Sequence, residues 1–221
     1  MFASTFPHRA STLVLCAALA ACSTLQPVPY AHVASSSKLR LNQHDTTGRM
    51  PYEYKASIDW AKYSAFIMDP VLVYSGSDSQ FEEISAADTE GLAQYMLVEF
   101  TDKLSKRFRV AAAPGKETLR IKLTLTGAKA NTNVLNTLMH FDLFLGGPYN
   151  TVQAVRDKEG MLSGSVSFAV EIYDSTTNAL LGAYVAKQYP NAWNLSAGMG
   201  SMAAAEVGVQ KGAEQLIGYL Q

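Results

Sequence analysis

Two cysteines and four histidines make up the thiol and imidazole inventory of this 221-residue chain, and their positions leave little of it for a folded domain. Cys16 lies inside the apolar run from Leu13 to Leu19, and Cys22 stands just beyond it, so no cysteine follows residue 22. Disulfides, thiolate nucleophiles and cysteine-based metal sites are thereby excluded from the body of the chain. His8 falls in the leader, His32 and His44 follow soon after, and His140 alone sits within the region of regular apolar patterning. A zinc site built on several histidines is ruled out there, and a Ser-His-Asp hydrolase would rest on His140 by itself. Between Met139 and Phe141, that histidine reads better as a structural residue than as a base.

Carboxylates occur in the pairs Glu82-Glu83, Asp88-Glu90 and Glu99-Asp102. Paired acids run glycoside hydrolysis when they are held about 5–9 Å apart and one is kept protonated by burial. These pairs fall on an expected loop and helix surface, where charge is ordinarily solvated. Asp69 interrupts an apolar stretch, and a bulge or turn role before Pro70 accounts for it. Gly198-Met199-Gly200-Ser201-Met202-Ala203 has the letters of a dinucleotide-binding glycine motif, but no second strand and no acid for a ribose follow it. A helix start is the better account. No cofactor is expected.

The elements that would position these residues begin with a leader. Arg9 precedes the short run Leu13 to Leu19, which is too short to span a bilayer, and Leu19-Ala20-Ala21-Cys22 closes it. That tetrapeptide resembles the lipobox of bacterial lipoproteins, in which the cysteine is acylated and becomes the mature N-terminus. Residues 1–21 are accordingly expected to be a lipoprotein signal peptide and Cys22 the lipidation site. Ser23, a non-acidic residue, favours the outer membrane, with the domain facing the periplasm. Without residues 1–21 the formal charge of −1 becomes −2 through loss of Arg9, a balance with no nucleic-acid footprint.

Residues 22–57 are rich in Ser, Pro, Gln, Asn and Thr without a sustained apolar period, and read as a flexible tether. As a coil, its roughly thirty-five residues would reach about 30–35 Å. Alternatively, Tyr52, Tyr54 and their neighbours pack back onto the domain.

A single domain is expected over 58–221. Phe66-Ile67-Met68 and Val71 to Tyr74 read as an apolar strand interrupted by Asp69-Pro70, at an edge or a bulge. Ser85 with Asp88 resembles a capping box, and Leu92, Met96, Phe100 and Leu104 recur at helical spacing to about Lys106. A strand from Phe108 to Ala112 stops at Pro114-Gly115. Leu119, Ile121, Leu123 and Leu125 then alternate with Arg120, Lys122, Thr124 and Thr126, the pattern of a sheet covered on one side. Val166 to Ile172 and Leu180 to Val185 form a hairpin about Asp174 to Asn178. A last helix carries Met202, Val209, Ala213, Leu216, Ile217 and Leu220, with Gly208 and Gly212 permitting close approach to a neighbour. The expected class is α+β: a mostly antiparallel sheet of about five strands with two helices packed on one face.

Val134 to Leu145 has no clean period of either kind and ends at Gly146-Gly147-Pro148. One reading is a loop or short helix folded over the open end of the core. The other is an exposed apolar patch, centred on Leu138, Met139, Phe141, Phe144 and Leu145, that meets an envelope protein, a lipid or the bilayer.

The region from Asp59 to Tyr74, with Tyr63, Asp69-Pro70-Val71 and Val73-Tyr74, resembles the opening of the bacterial lipoproteins grouped as domain of unknown function 3313. The likeness continues through Gln80-Phe81, Ala86-Ala87-Asp88, Phe108-Arg109-Val110, Pro114-Gly115, Leu119-Arg120, Asn133 to Thr137, Glu171 to Asp174 with Thr177, and Trp193. It covers about residues 58–220. Lys116-Glu117 depart from it where a second glycine is usual, and Asn178 stands at a turn position that is usually glycine. The resemblance implies no catalytic residue. The expectation is a lipid-anchored envelope protein that is not an enzyme and binds as an accessory or assembly factor. The alternative is a carrier of a lipid or other apolar ligand held between sheet and helices.

Overall fold

The computed structural model describes residues 26–82, 84–131, 164–191 and 201–221. Its centre is the alternating segment, strand β7 (Thr118–Lys129), which pairs antiparallel with β8 (Ser165–Asp174). β8 pairs in turn with β9 (Leu180–Gln188) around the turn at Asp174. There the Asp174 carboxylate accepts from the backbone N–H groups of Thr176 and Thr177, and Asn178 takes φ 55°, a left-handed conformation that asparagine tolerates.

On the other side of β7 the apolar stretch around Asp69-Pro70 forms three short pieces. β3 (Ala65–Met68), β4 (Leu72–Val73) and β5 (Gln80–Glu82) run parallel to β7 one after another, in effect a single broken strand. The break after β3 coincides with Pro70, which has no N–H to give a ladder. β6 (Arg109–Val110) lies parallel to β3 at the sheet edge.

Among the described residues the sheet is therefore mixed and nine-stranded, with β1 (Arg40–Leu41) and β2 (Tyr52–Lys55) at one edge, in the order β1-β2-β9-β8-β7-β3-β6 with β4 and β5 on β7, and not mostly antiparallel with about five strands. The α+β class stands, with two α-helices among the described residues. The parallel half arises because α1 (Ala86–Ser105) carries the chain back along the sheet between β5 and β6.

The start of α1 follows the capping-box expectation. Ser85 Oγ accepts from Asp88 N–H at 3.1 Å and donates to the Asp88 carboxylate at 2.7 Å, a cap whose loss costs about 1 kcal/mol. Leu92, Met96, Phe100 and Leu104 are all buried against the sheet. Beside α1 packs α2 (Ala203–Tyr219), joined at its surface by the Lys103–Glu214 ion pair at 2.8 Å. Gly212 is required by this packing, since a Cβ there would stand 2.5 Å from Phe168 Cζ. Phe100 and Phe168 meet edge to face with centroids 5.7 Å apart.

The segment read as a tether is part of the fold. From Gln26 onward it lies on the sheet face away from the helices, with Tyr30, Val33 and Leu39 buried against Tyr74, Ala169, Ala183 and Val185. It then forms β1 (Arg40–Leu41) and β2 (Tyr52–Lys55), and β2 extends the sheet antiparallel to β9. This corrects both the boundary at residue 58 and the expectation of a sheet covered on one side. Tyrosine-rich burial against an existing face stabilises this segment without any helix or strand period of its own. The expected signal peptide, residues 1–21, lies outside the described residues.

Candidate functional site

Cys22 and the patch residues Leu138, Met139, Phe141, Phe144 and Leu145 lie outside the described residues, as do His140, Glu83, Gly198 and Gly200. The remaining carboxylate candidates are not brought together. Glu82 pairs with Lys129 at 3.4 Å, Asp88 belongs to the cap of α1, Glu90 accepts from Gln94 and Asp102 pairs with Lys106. Asp69, at the break between β3 and β4, accepts Arg120 Nε–H on both oxygens at 3.0 Å. These are arrangements of local structure, and none brings two of the candidate acids together. Ser201 to Ala203 open α2, with Ser201 C=O accepting from Asn131 N–H. Among the described residues no three His, Cys, Asp or Glu side chains group as metal ligands, and no helix is long and apolar enough to cross a membrane.

What the described residues do assemble is a polar clamp on the N-terminal segment, referred to below as the strap. Tyr30 is fully buried and its hydroxyl donates to Gln80 Oε1 at 3.2 Å. Burial pushes its phenol up to about 12. The Gln80 amide in turn donates to Gln26 C=O at 2.7 Å, fixing the point where the chain enters the fold. Asp78 accepts from Tyr74 O–H at 2.6 Å and from Ala31 N–H at 3.1 Å, and these bonds, the phenol first, hold its carboxyl below the ordinary value. Further along, the buried Glu171 carboxylate accepts from Ser35 N–H at 2.7 Å and from Tyr173 O–H at 3.1 Å. Charged acceptors facing backbone N–H groups are among the stronger hydrogen bonds. The strap is thus held by carboxylates at two points, Ala31 and Ser35.

Beside this clamp a surface cleft of about 340 Å³ runs between the strap and β4, lined by His32, Leu72, Val73, Tyr74, Ser75 to Ser77 and Thr124. A second, of about 220 Å³, lies between the N-terminal ends of α1 and α2, with Asp88, Tyr95, Met202 and Glu206 on its walls. Neither lies between the sheet and the helices. That interface is filled by Met96, Phe100, Leu104, Phe168, Val209 and Leu216, all with no exposed surface.

Sequence reasoning missed the clamp because its members are scattered: Gln26, Tyr30, Tyr74, Asp78, Gln80 and Glu171 share no spacing. One signal was present. Tyr30, Tyr52 and Tyr54 are large aromatic side chains of a kind that disordered tethers lack.

Comparison with known proteins gives one family and several low-identity structural likenesses. No curated protein matches the chain. A dodecamer of a PelC point variant from Paraburkholderia phytofirmans is 8% identical over 72% of this chain and 89% of that one, with a TM-score of 0.38. A DUF4136 family protein from Bacteroides thetaiotaomicron is 13% identical over 77% of this chain and 96% of that one, with a TM-score of 0.38. A DUF330 protein from Xanthomonas campestris is 9% identical over 72% and 84%, with a TM-score of 0.37. The family model described as a protein of unknown function (DUF3313) matches residues 29–216, taking in nearly the whole strap as well as the sheet and both helices, and the chain therefore belongs to the DUF3313 family.

Proposed function

We propose that this chain is a lipoprotein of the bacterial outer membrane, anchored through Cys22, whose domain faces the periplasm and binds an envelope component as an accessory or assembly factor without catalysing a reaction. The observation that carries the reading is Leu19-Ala20-Ala21-Cys22 placed directly behind a short apolar run. Two or more acyl chains on that cysteine make attachment effectively stable. The binding role has narrower support. The apolar segment 134–147, with Leu138, Met139, Phe141, Phe144 and Leu145, is rich enough in large side chains to engage a partner. The carrier alternative asks for a cavity of several hundred Å³ between sheet and helices, where the described side chains pack in contact.

Fractionation with a carbonate wash tests the anchor. The native chain is expected to stay with the membrane and Cys22→Ala to be released, and a Cys22→Ala chain that remains bound overturns it. In-cell photo-crosslinking from Phe144 tests the role. A discrete protein adduct is expected, a lipid adduct returns the carrier reading, and no adduct removes the segment as an interaction surface.

A further inference from the structure

We infer that the face carrying Val28 and Leu72 lies against the membrane that holds Cys22. The inference rests on the lipid anchor proposed above and adds to it an orientation and a contact surface.

Its first support is the length of the leash. The chain is pinned at Gln26 by the Gln80 amide and again by the buried side chains of Tyr30, Val33 and Leu39. Only Ser23, Thr24 and Leu25 separate Gln26 from Cys22, a stretch of at most about 14 Å even when fully extended. A domain of this size has a radius of gyration of about 16 Å. A 14 Å leash therefore cannot carry the entry point around to the far side, and the face around Gln26 stays turned to the bilayer.

The second support is what that face displays. Gln80, which holds the entry point, pairs with Gly127 near the end of β7, and Leu72 and Val73 pair with Thr124 and Leu125 just before it. Leu72, on the strap side of β4, is 61% exposed, and Val28, two residues beyond Gln26, is 38% exposed. The cleft beside them is lined by small, hydroxyl-bearing and apolar residues with His32, and by no lysine, arginine or acid. Such a surface loses little hydration on meeting a headgroup layer and places two large aliphatic side chains within reach of the acyl boundary. Val98, on the outer face of α1, is equally exposed at 63% but sits on the helical side of the molecule, away from the strap.

The test uses the acylated full-length protein in vesicles of phosphatidylethanolamine and phosphatidylglycerol. Leu72→Cys and Val98→Cys each introduce one free thiol, because Cys16 leaves with the leader and the Cys22 sulfur is consumed by the anchor. A nitroxide on each thiol reports collisions with a water-soluble nickel chelate and with oxygen, which concentrates in lipid. The expected result is a several-fold lower nickel-to-oxygen collision ratio at residue 72 than at residue 98. Equal ratios in protein whose Cys22 peptide carries the acyl mass overturn the orientation and leave the anchor standing. Absence of acyl mass on Cys22 removes anchor and orientation together.

Discussion

Glu117 holds φ 55° in the turn that leads into β7, a conformation that crowds the Cβ of any residue but glycine. The turn carries Lys116-Glu117 after Gly115, and the structure gives the absence of a second glycine a physical meaning: strain stored at a left-handed position. Glu117 Oε2 lies 3.5 Å from Ser64 Oγ at an exposed site, too long a contact to offset that strain. Glu117→Gly is expected to raise stability by about 0.5–1 kcal/mol, the relief of roughly 1–2 kcal/mol of strain less the added freedom of glycine when unfolded. Urea denaturation checks it, and a lower midpoint would refute it. Asn178 takes the same φ and was legible beforehand, because asparagine in a hairpin turn has a local reason to be there. Glu117 has none, and the backbone shows what its departure from glycine costs. The same division holds for the carboxylates: Asp88 was readable as a cap from Ser85 three residues earlier, whereas Glu171 meets Ser35 across 136 residues of sequence.

Helix α1, the hairpin β8–β9 and the long strand β7 all declared themselves through period, since each keeps a regular apolar row over its length against the core between sheet and helices. The strap, β1 and β2 did not. Their burial is distributed over single aromatic side chains that fill gaps on a face already built, and β2 exposes neither face cleanly. Parallel pairing was also hidden, because a strand broken at Asp69-Pro70 and again between Val73 and Gln80 shows no length from which to infer a crossover. The element scale predicts the effect of deleting the supposed tether. A chain starting at residue 58 loses β1, β2 and the strap, leaving the β9 edge unpaired and Ala169, Ala183 and Val185 in water. Such an edge is a template for aggregation. The expected outcome is insoluble or oligomeric protein, read by size-exclusion chromatography, where a monomer with an unchanged melting temperature would show the strap to be dispensable.

For the molecule as a whole, the class and the two-helix layer were readable and the full sheet was not. Its pH response follows from groups spread over both faces. Burial raises the phenols of Tyr30, to about 12, and of Tyr184 and Tyr219 above their ordinary value of 10.0. Their stabilising effect is therefore complete below pH 10 and is lost as pH rises through the raised values. Asp78 and Asp174 move the opposite way, lowered mainly by the Tyr74 hydroxyl and the Thr177 N–H respectively, so their contribution is present above 3.8 and fades as pH falls through the lowered values. Alkaline titration followed by tyrosinate absorbance and circular dichroism should show a late group of tyrosines ionising together with unfolding. Ionisation of all eleven near pH 10 with the fold intact would contradict this.

The reach of the strap across the sequence also sets an order of events. Ser35 waits for Glu171, and the backbone of Tyr54 waits for Tyr219, 165 residues later. A chain emerging from its N-terminus first cannot close these contacts until its last helix has arrived, and pairings so distant in sequence are slow to form. The end that carries Cys22 is accordingly the last to be folded down. Under the anchoring proposed above, that delay leaves Cys22 open to acylation while the rest of the chain is still being delivered.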